Sequence, residues 1–173
     1  MHLLADSDFD CSLIADYRML IVKNPSRVDR MLGFAEGLFT IQDLTASLPA
    51  RLLEPEPQSR ILDLCAAPGT KTTQLAELTS DNAVILATDK ARVRLRKLDQ
   101  NIERLQLKSI TTVPYENWQQ KAADIGPFNY ILLDVPCSNS GVFARRPEAK
   151  YRLCPKAIES LKVTQLQLLE SAI

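Results

Sequence analysis

The chain has 173 residues, 46% hydrophobic and 24% charged, which suits a soluble domain with a core and argues against extended disorder. Its 21 basic and 21 acidic side chains cancel, so no whole-molecule field draws it to nucleic acid. No apolar run approaches the ~18–20 residues that cross a bilayer, and MHLLADSDFD lacks the basic and apolar regions of a secretory leader, so a cytoplasmic setting is expected.

The four cysteines, Cys11, Cys65, Cys137 and Cys154, form no CxxC pair, and His2 is the lone histidine. Free thiols and no metal site are expected. Charge is uneven along the chain. Residues 143–162 carry Arg145, Arg146, Lys150, Arg152, Lys156 and Lys162 against Glu148 and Glu159, and residues 90–108 are also basic. Solvated helix faces and a local RNA-facing surface are both open readings of these runs.

In chain order, residues 1–40 read as an N-terminal segment with a β-hairpin, and 41–173 as the core. YRMLIVKN (17–24) is a strand candidate, NPSR (24–27) a turn, and GLFTIQD (37–43) a second strand running into a helix, QDLTASLPARLL, which Pro49 interrupts or bends. Strands are then expected at RILDLC (60–65), AVILAT (83–88), SITTVP (109–114) and FNYILLD (128–134). Helices are expected at TKTTQLAEL (70–78), 90–107 and 155–173, the last with Ile158, Leu161, Leu166, Leu169 and Ile173 on one side. Near-continuous apolar strands alternating with helices predict a parallel sheet covered on both faces, with ligands at the carboxyl ends of its strands.

Two loops at such ends carry chemistry. The first is Cys65-Ala66-Ala67-Pro68-Gly69-Thr70-Lys71. Small residues there let a backbone approach a ligand, and the helix that follows favours an anionic group at its N-terminus. Its spacing is neither GxGxxG nor a P-loop; a plain tight turn and a ligand loop both remain open. Asp89 closes the second strand about 20 residues on, where an acid accepts ribose hydroxyls or caps a helix. The other loop is Asp134-Val135-Pro136-Cys137-Ser138, which delivers an acid and a thiol to the same kind of strand end. A thiolate there is a nucleophile when its surroundings lower its pKa; a lone buried thiol is inert.

CAAPGTK and DVPCS together resemble the CAAPGGK and DAPCS motifs of the Sun (Fmu) family of RNA cytosine-C5 methyltransferases, over roughly residues 30–173. The resemblance implies an α/β, Rossmann-like S-adenosylmethionine-dependent methyltransferase sheet, mostly parallel and incomplete on its C-terminal side. It implies S-adenosylmethionine as cofactor, with residues 65–71 around the methionine part, Asp89 on the ribose, and Arg94 supporting the site. Asp134 then contacts cofactor and cytosine, and Cys137 assists product release. Arg145, Arg146 and Lys150 are the implied RNA-phosphate contacts. The RNA is expected to be rRNA, with tRNA and a non-catalytic RNA- or cofactor-binding paralogue as alternatives.

Two departures stand out. Thr70 replaces the family's glycine, which restricts the backbone. Where the family has an adenine-contacting Asp, this chain has Tyr115, which can stack on the adenine, and beside it Glu116, which can substitute after a one-residue shift; both readings are open. The family's chemistry adds a thiolate to carbon 6 of cytosine, methylates carbon 5, removes its proton and expels the thiol. The attacking thiol belongs to a Thr-Cys-Ser motif after a fifth strand. No Thr-Cys-Ser occurs within these 173 residues, so the chain alone is expected to bind cofactor weakly and transfer no methyl.

Overall fold

The computed structural model describes residues 11–15, 18–23, 27–143 and 147–173. It forms two compact units, one of residues 1–41 with 104–106 and one of 42–103 with 107–173. The turn expected at 24–27 lies mostly outside the described residues.

In the smaller unit, β1 (Cys11–Ile14) pairs antiparallel with β2 (Met19–Val22), Ile14 opposite Met19. The strand expected at 37–43 is absent; turns and irregular chain take its place. Gly37 has φ +74°, and a Cβ there would stand 2.0 Å from the Arg104 carbonyl oxygen. The Arg104 guanidinium donates to the carbonyls of Phe34 (2.7 Å) and Phe39 (3.0 Å), so these backbone groups bond to a side chain rather than to a sheet.

The larger unit opens with α1 (Leu44–Leu52), capped by Asp43, whose carboxylate accepts from the Thr45 N–H at 2.9 Å. Pro49 does not interrupt this helix. It sits inside it and forgoes only the one N–H that would have reached back a turn. Then come β3 (Arg60–Asp63), α2 (Thr70–Leu78), β4 (Val84–Asp89), α3 (Arg92–Arg104), β5 (Ile110–Pro114), α4 (Trp118–Ile125), β6 (Tyr130–Leu132) and α5 (Pro155–Ala172). The sequence pattern missed α4, a helix of only eight residues, and it missed β1.

The four core strands are parallel in the order β5-β4-β3-β6. Alternate strand residues feed two clusters. Ile61, Ile85 and Ala87 pack with Leu75, Leu95 and Leu98 on one face, and Leu62, Leu64 and Leu86 pack with Trp118 on the other. Each of these fully buried Leu or Ile side chains contributes about 1.5–3 kcal/mol. The chain steps outward from β3 through β4 to β5, then returns to place β6 on the opposite flank of β3. That reversal is a topological switch point, and sheets of this kind bind ligands at such a point, here the carboxyl ends of β3 and β6.

α5 turns differently from its apolar pattern. Leu168 is its buried residue, while Ile158, Leu166 and Leu169 stay about half exposed. Ala172 packs against the Leu62–Leu86–Trp118 cluster and Leu161 is half-buried, so most of the stripe read from the sequence lies off the packed side.

Candidate functional site

The DLCAAPGTK and DVPCS segments leave adjacent parallel strands, because Asp63 of β3 lies opposite Leu132 of β6. Both therefore open on one rim. Lys71, in the first turn of α2, bonds the Asp134 carboxylate at 2.7 Å and ties the two segments together. Asp134 is half exposed, so this pair adds at most ~1 kcal/mol to stability; its consequence is geometric.

The first loop is held from several sides. The Ala66 N–H donates to the Thr88 carbonyl at 2.9 Å, and the Ala67 N–H to Asp89 Oδ2 at 3.2 Å. Asp89 Oδ1 accepts from the Ala91 N–H at 2.8 Å, so Asp89 caps the approach to α3 and also grips the loop. Arg94 donates to the Ala67 carbonyl and lies 3.6 Å from Asp89 Oδ2. Asn101 donates to the Pro68 carbonyl at 3.2 Å.

Gly69 has φ +109°, a conformation that disfavours side chains, and ends the loop at the N-terminus of α2. Thr70 follows as the first residue of α2, with no positive φ. The threonine that departs from the family pattern therefore occupies ordinary helical backbone; Gly69 carries the conformational demand. No side chain caps α2, which leaves its first N–H groups for an anionic partner.

Beneath the loop, Asp63 is fully buried. It accepts from Thr72 Oγ1 at 2.8 Å and from the Cys65 N–H at 3.3 Å. Burial outweighs these bonds and pushes its carboxyl up to about 7. Cys65 is pushed up to about 12, first by burial and then by the negative charges of Asp63, Asp89 and Asp134. It stays a thiol at neutral pH and is no nucleophile. Cys137 and Cys154 are exposed, with Cys137 Sγ 3.8 Å from Asn139 Oδ1. Iodoacetamide at pH 8 is expected to alkylate Cys137 and Cys154 well before Cys65; early loss of the Cys65 thiol in a mass-spectrometric time course would contradict this.

At the end of β5, Tyr115 is half buried against the Leu62–Leu86–Trp118 cluster, with the Lys90 ammonium 5.0 Å from its ring centre. Glu116 is exposed and paired with Arg92. Its carboxyl is held below the usual range by its own backbone N–H and then by Arg92. Lys150 is exposed, 5.9 Å from the Phe143 ring centre. Arg145 and Arg146 lie outside the described residues. The sequence reading passed over Thr72, Asn101 and Gln165, the last of which donates to the Pro136 carbonyl at 2.8 Å. Each is a neutral polar residue on a helix, where spacing alone carries no sign of a loop contact.

The donor set fits a ligand with a nucleoside, an anionic end and positive charge. Each Asp89 oxygen accepts one backbone bond, leaving lone pairs for ribose hydroxyls. The uncapped α2 suits a carboxylate, and Asp89 and Asp134 place negative charge near Cys65. Among the described residues, no three His, Cys, Asp or Glu side chains are placed to hold a metal, and no helix is long and apolar enough to cross a membrane.

Parallel strands, switch point and loop define a Rossmann-like domain, and the family match places it in the S-adenosylmethionine-dependent methyltransferase class. Residues 50–173 match the family model for the 16S rRNA methyltransferase RsmB/F, and the chain belongs to that family. It is 39% identical over 150 residues to the probable ribosomal RNA small subunit methyltransferase B of Synechocystis, covering 83% of this chain and 32% of the relative. The crystal structure of PH0851 superposes with a TM-score of 0.88 at 30% identity, covering 99% of this chain and 39% of the other. NSun6 from Pyrococcus horikoshii, solved with SFG, gives 0.74 at 34% identity, covering 90% and 40%. The chain thus spans roughly a third to two-fifths of the length of these proteins.

Proposed function

We propose that this chain carries the S-adenosylmethionine-binding part of an RNA cytosine-C5 methyltransferase acting on small-subunit rRNA. The observation that carries the reading is the convergence of the two strand-end segments on one rim, tied by Lys71 and Asp134. The name of the Synechocystis relative supports the rRNA substrate, and the family match supports the reaction class.

In this reading the residues 65–71 wrap the amino-acid end of the cofactor, with the N-terminus of α2 facing its carboxylate. Asp89 takes the ribose hydroxyls, Arg94 braces the loop, and Tyr115 or Glu116 borders the adenine. The cofactor, when bound, supplies an electrophilic methyl on a sulfonium. In the same reading Asp134 contacts cofactor and cytosine, and Cys137, an exposed thiol three residues on, assists product release. Arg145, Arg146 and Lys150 contact RNA phosphates, which set register rather than base identity.

Calorimetry with S-adenosylhomocysteine tests the cofactor half of this proposal. The expected result is saturable one-to-one binding, no heat with NAD, and at least a tenfold loss of affinity in Asp89→Ala, which removes the ribose acceptor, one bond to the loop and one to the approach of α3. Binding of NAD in place of S-adenosylhomocysteine would overturn it. Because these residues contain no Thr-Cys-Ser, tritiated methyl is not expected to reach RNA with this chain alone.

A further inference from the structure

Three residues on one stripe of α3 touch three successive residues of the first loop. Arg94, Leu98 and Asn101 are spaced four and three apart, so they point the same way from the helix. Arg94 donates to the Ala67 carbonyl and Asn101 to the Pro68 carbonyl, while Leu98 packs where a Gly69 side chain would be. We propose that Asn101 is a positioning residue for the cofactor: by holding the Pro68 carbonyl it sets the peptide plane that aims the Gly69 N–H. This rests on the cofactor reading above and assigns a role to a residue outside both motifs.

The physical argument is the rigidity of the peptide unit. The Pro68–Gly69 bond is trans, so its C=O and N–H point in opposite directions within one plane. A carbonyl drawn toward α3 therefore turns the Gly69 N–H away from α3. Proline has no N–H of its own, so its carbonyl is the one backbone hydrogen-bonding group through which residue 68 can be held. Pro68 is also exposed, so side-chain packing does little to fix this peptide. Arg94 holds the preceding carbonyl and Leu98 bars the following residue from moving inward. Asn101 completes the series at the peptide that leads into α2.

The test compares two ligands that differ in the amino-acid tail. S-adenosylhomocysteine has it, and 5′-methylthioadenosine keeps the nucleoside and sulfur but lacks it. In Asn101→Ala, affinity for S-adenosylhomocysteine is expected to fall about threefold to tenfold, the range for one lost hydrogen bond. Affinity for 5′-methylthioadenosine is expected to stay within about twofold. Asn101→Asp keeps the size and removes the amide donor; it should show the same selectivity and covers the case in which the alanine variant folds poorly. Unchanged affinity for S-adenosylhomocysteine in both variants would overturn the proposal, as would a parallel loss for both ligands, which marks general loosening. If the unmodified chain binds neither ligand, the cofactor reading itself fails.

Discussion

Gly69→Ala is expected to destabilise the chain by roughly 2–4 kcal/mol and to remove cofactor binding. Two costs add. At φ +109° a Cβ strains the backbone. The new methyl also stands 2.4 Å from Leu98 Cδ1, 3.3 Å from its Cβ and 3.4 Å from its Cα. A rotamer change of Leu98 relieves the first contact but not the other two, and Leu98 is fully buried with little room to turn. Urea unfolding followed by circular dichroism measures the loss. The double variant Gly69→Ala, Leu98→Ala should not recover stability, because the φ strain remains and a cavity is added. Thr70→Gly, one residue on, should cost no more than about 1 kcal/mol, the usual penalty of glycine in a helix. A Gly69→Ala variant as stable as the parent would show that the loop backbone is not held as described.

The second large effect belongs to Asp63. Its carboxyl is raised from 3.8 to about 7, mainly by burial. Between roughly pH 4 and pH 7 the folded chain holds this proton and the unfolded chain has released it. Stability from this group is therefore fully present below pH 4 and is lost as pH rises toward 7. About three pKa units at ~1.4 kcal/mol each set the scale, so a loss on the order of 2–4 kcal/mol is expected across that window. Asp63→Asn should flatten the profile. An asparagine still accepts from the Cys65 N–H and donates to Thr72 Oγ1, which then turns its hydrogen to the Ala66 carbonyl 3.3 Å away. The variant should be more stable than the parent at pH 8. Asp81 shifts the other way, below 3.8, so its contribution is lost only under stronger acid and leaves this window clear. A parent profile that is flat from pH 4 to 7, together with an Asp63→Asn variant weaker at pH 8, would refute the assignment.

The elements that carry the site were legible because their signals are local. RILD, VILATD and ITTVP are apolar runs bounded by turn residues, and they form β3, β4 and β5 close to where the pattern placed them. TKTTQLAEL follows a Pro-Gly turn and forms α2 over the expected residues. The misses have local causes too. GLFTIQD looks like a strand, but Gly37 takes a positive φ against the Arg104 carbonyl, and the carbonyls of Phe34 and Phe39 go to a guanidinium. The apolar stripe of α5 obeys helical periodicity yet lies mostly off the packed side, since periodicity reports spacing and not what stands opposite.

By itself the sequence determined a parallel α/β core, a strand-to-helix loop built for close backbone approach, and an acid–thiol pair at another strand end. Each of these depends on residues within a few positions of one another. The tertiary structure decided what depends on distant residues meeting. It set β6 beside β3, brought Lys71 to Asp134, sank Asp63 until its carboxyl resists ionisation, and laid Arg94, Leu98 and Asn101 along the loop. Strand order and burial are properties of the packed chain, and no short window of sequence contains them.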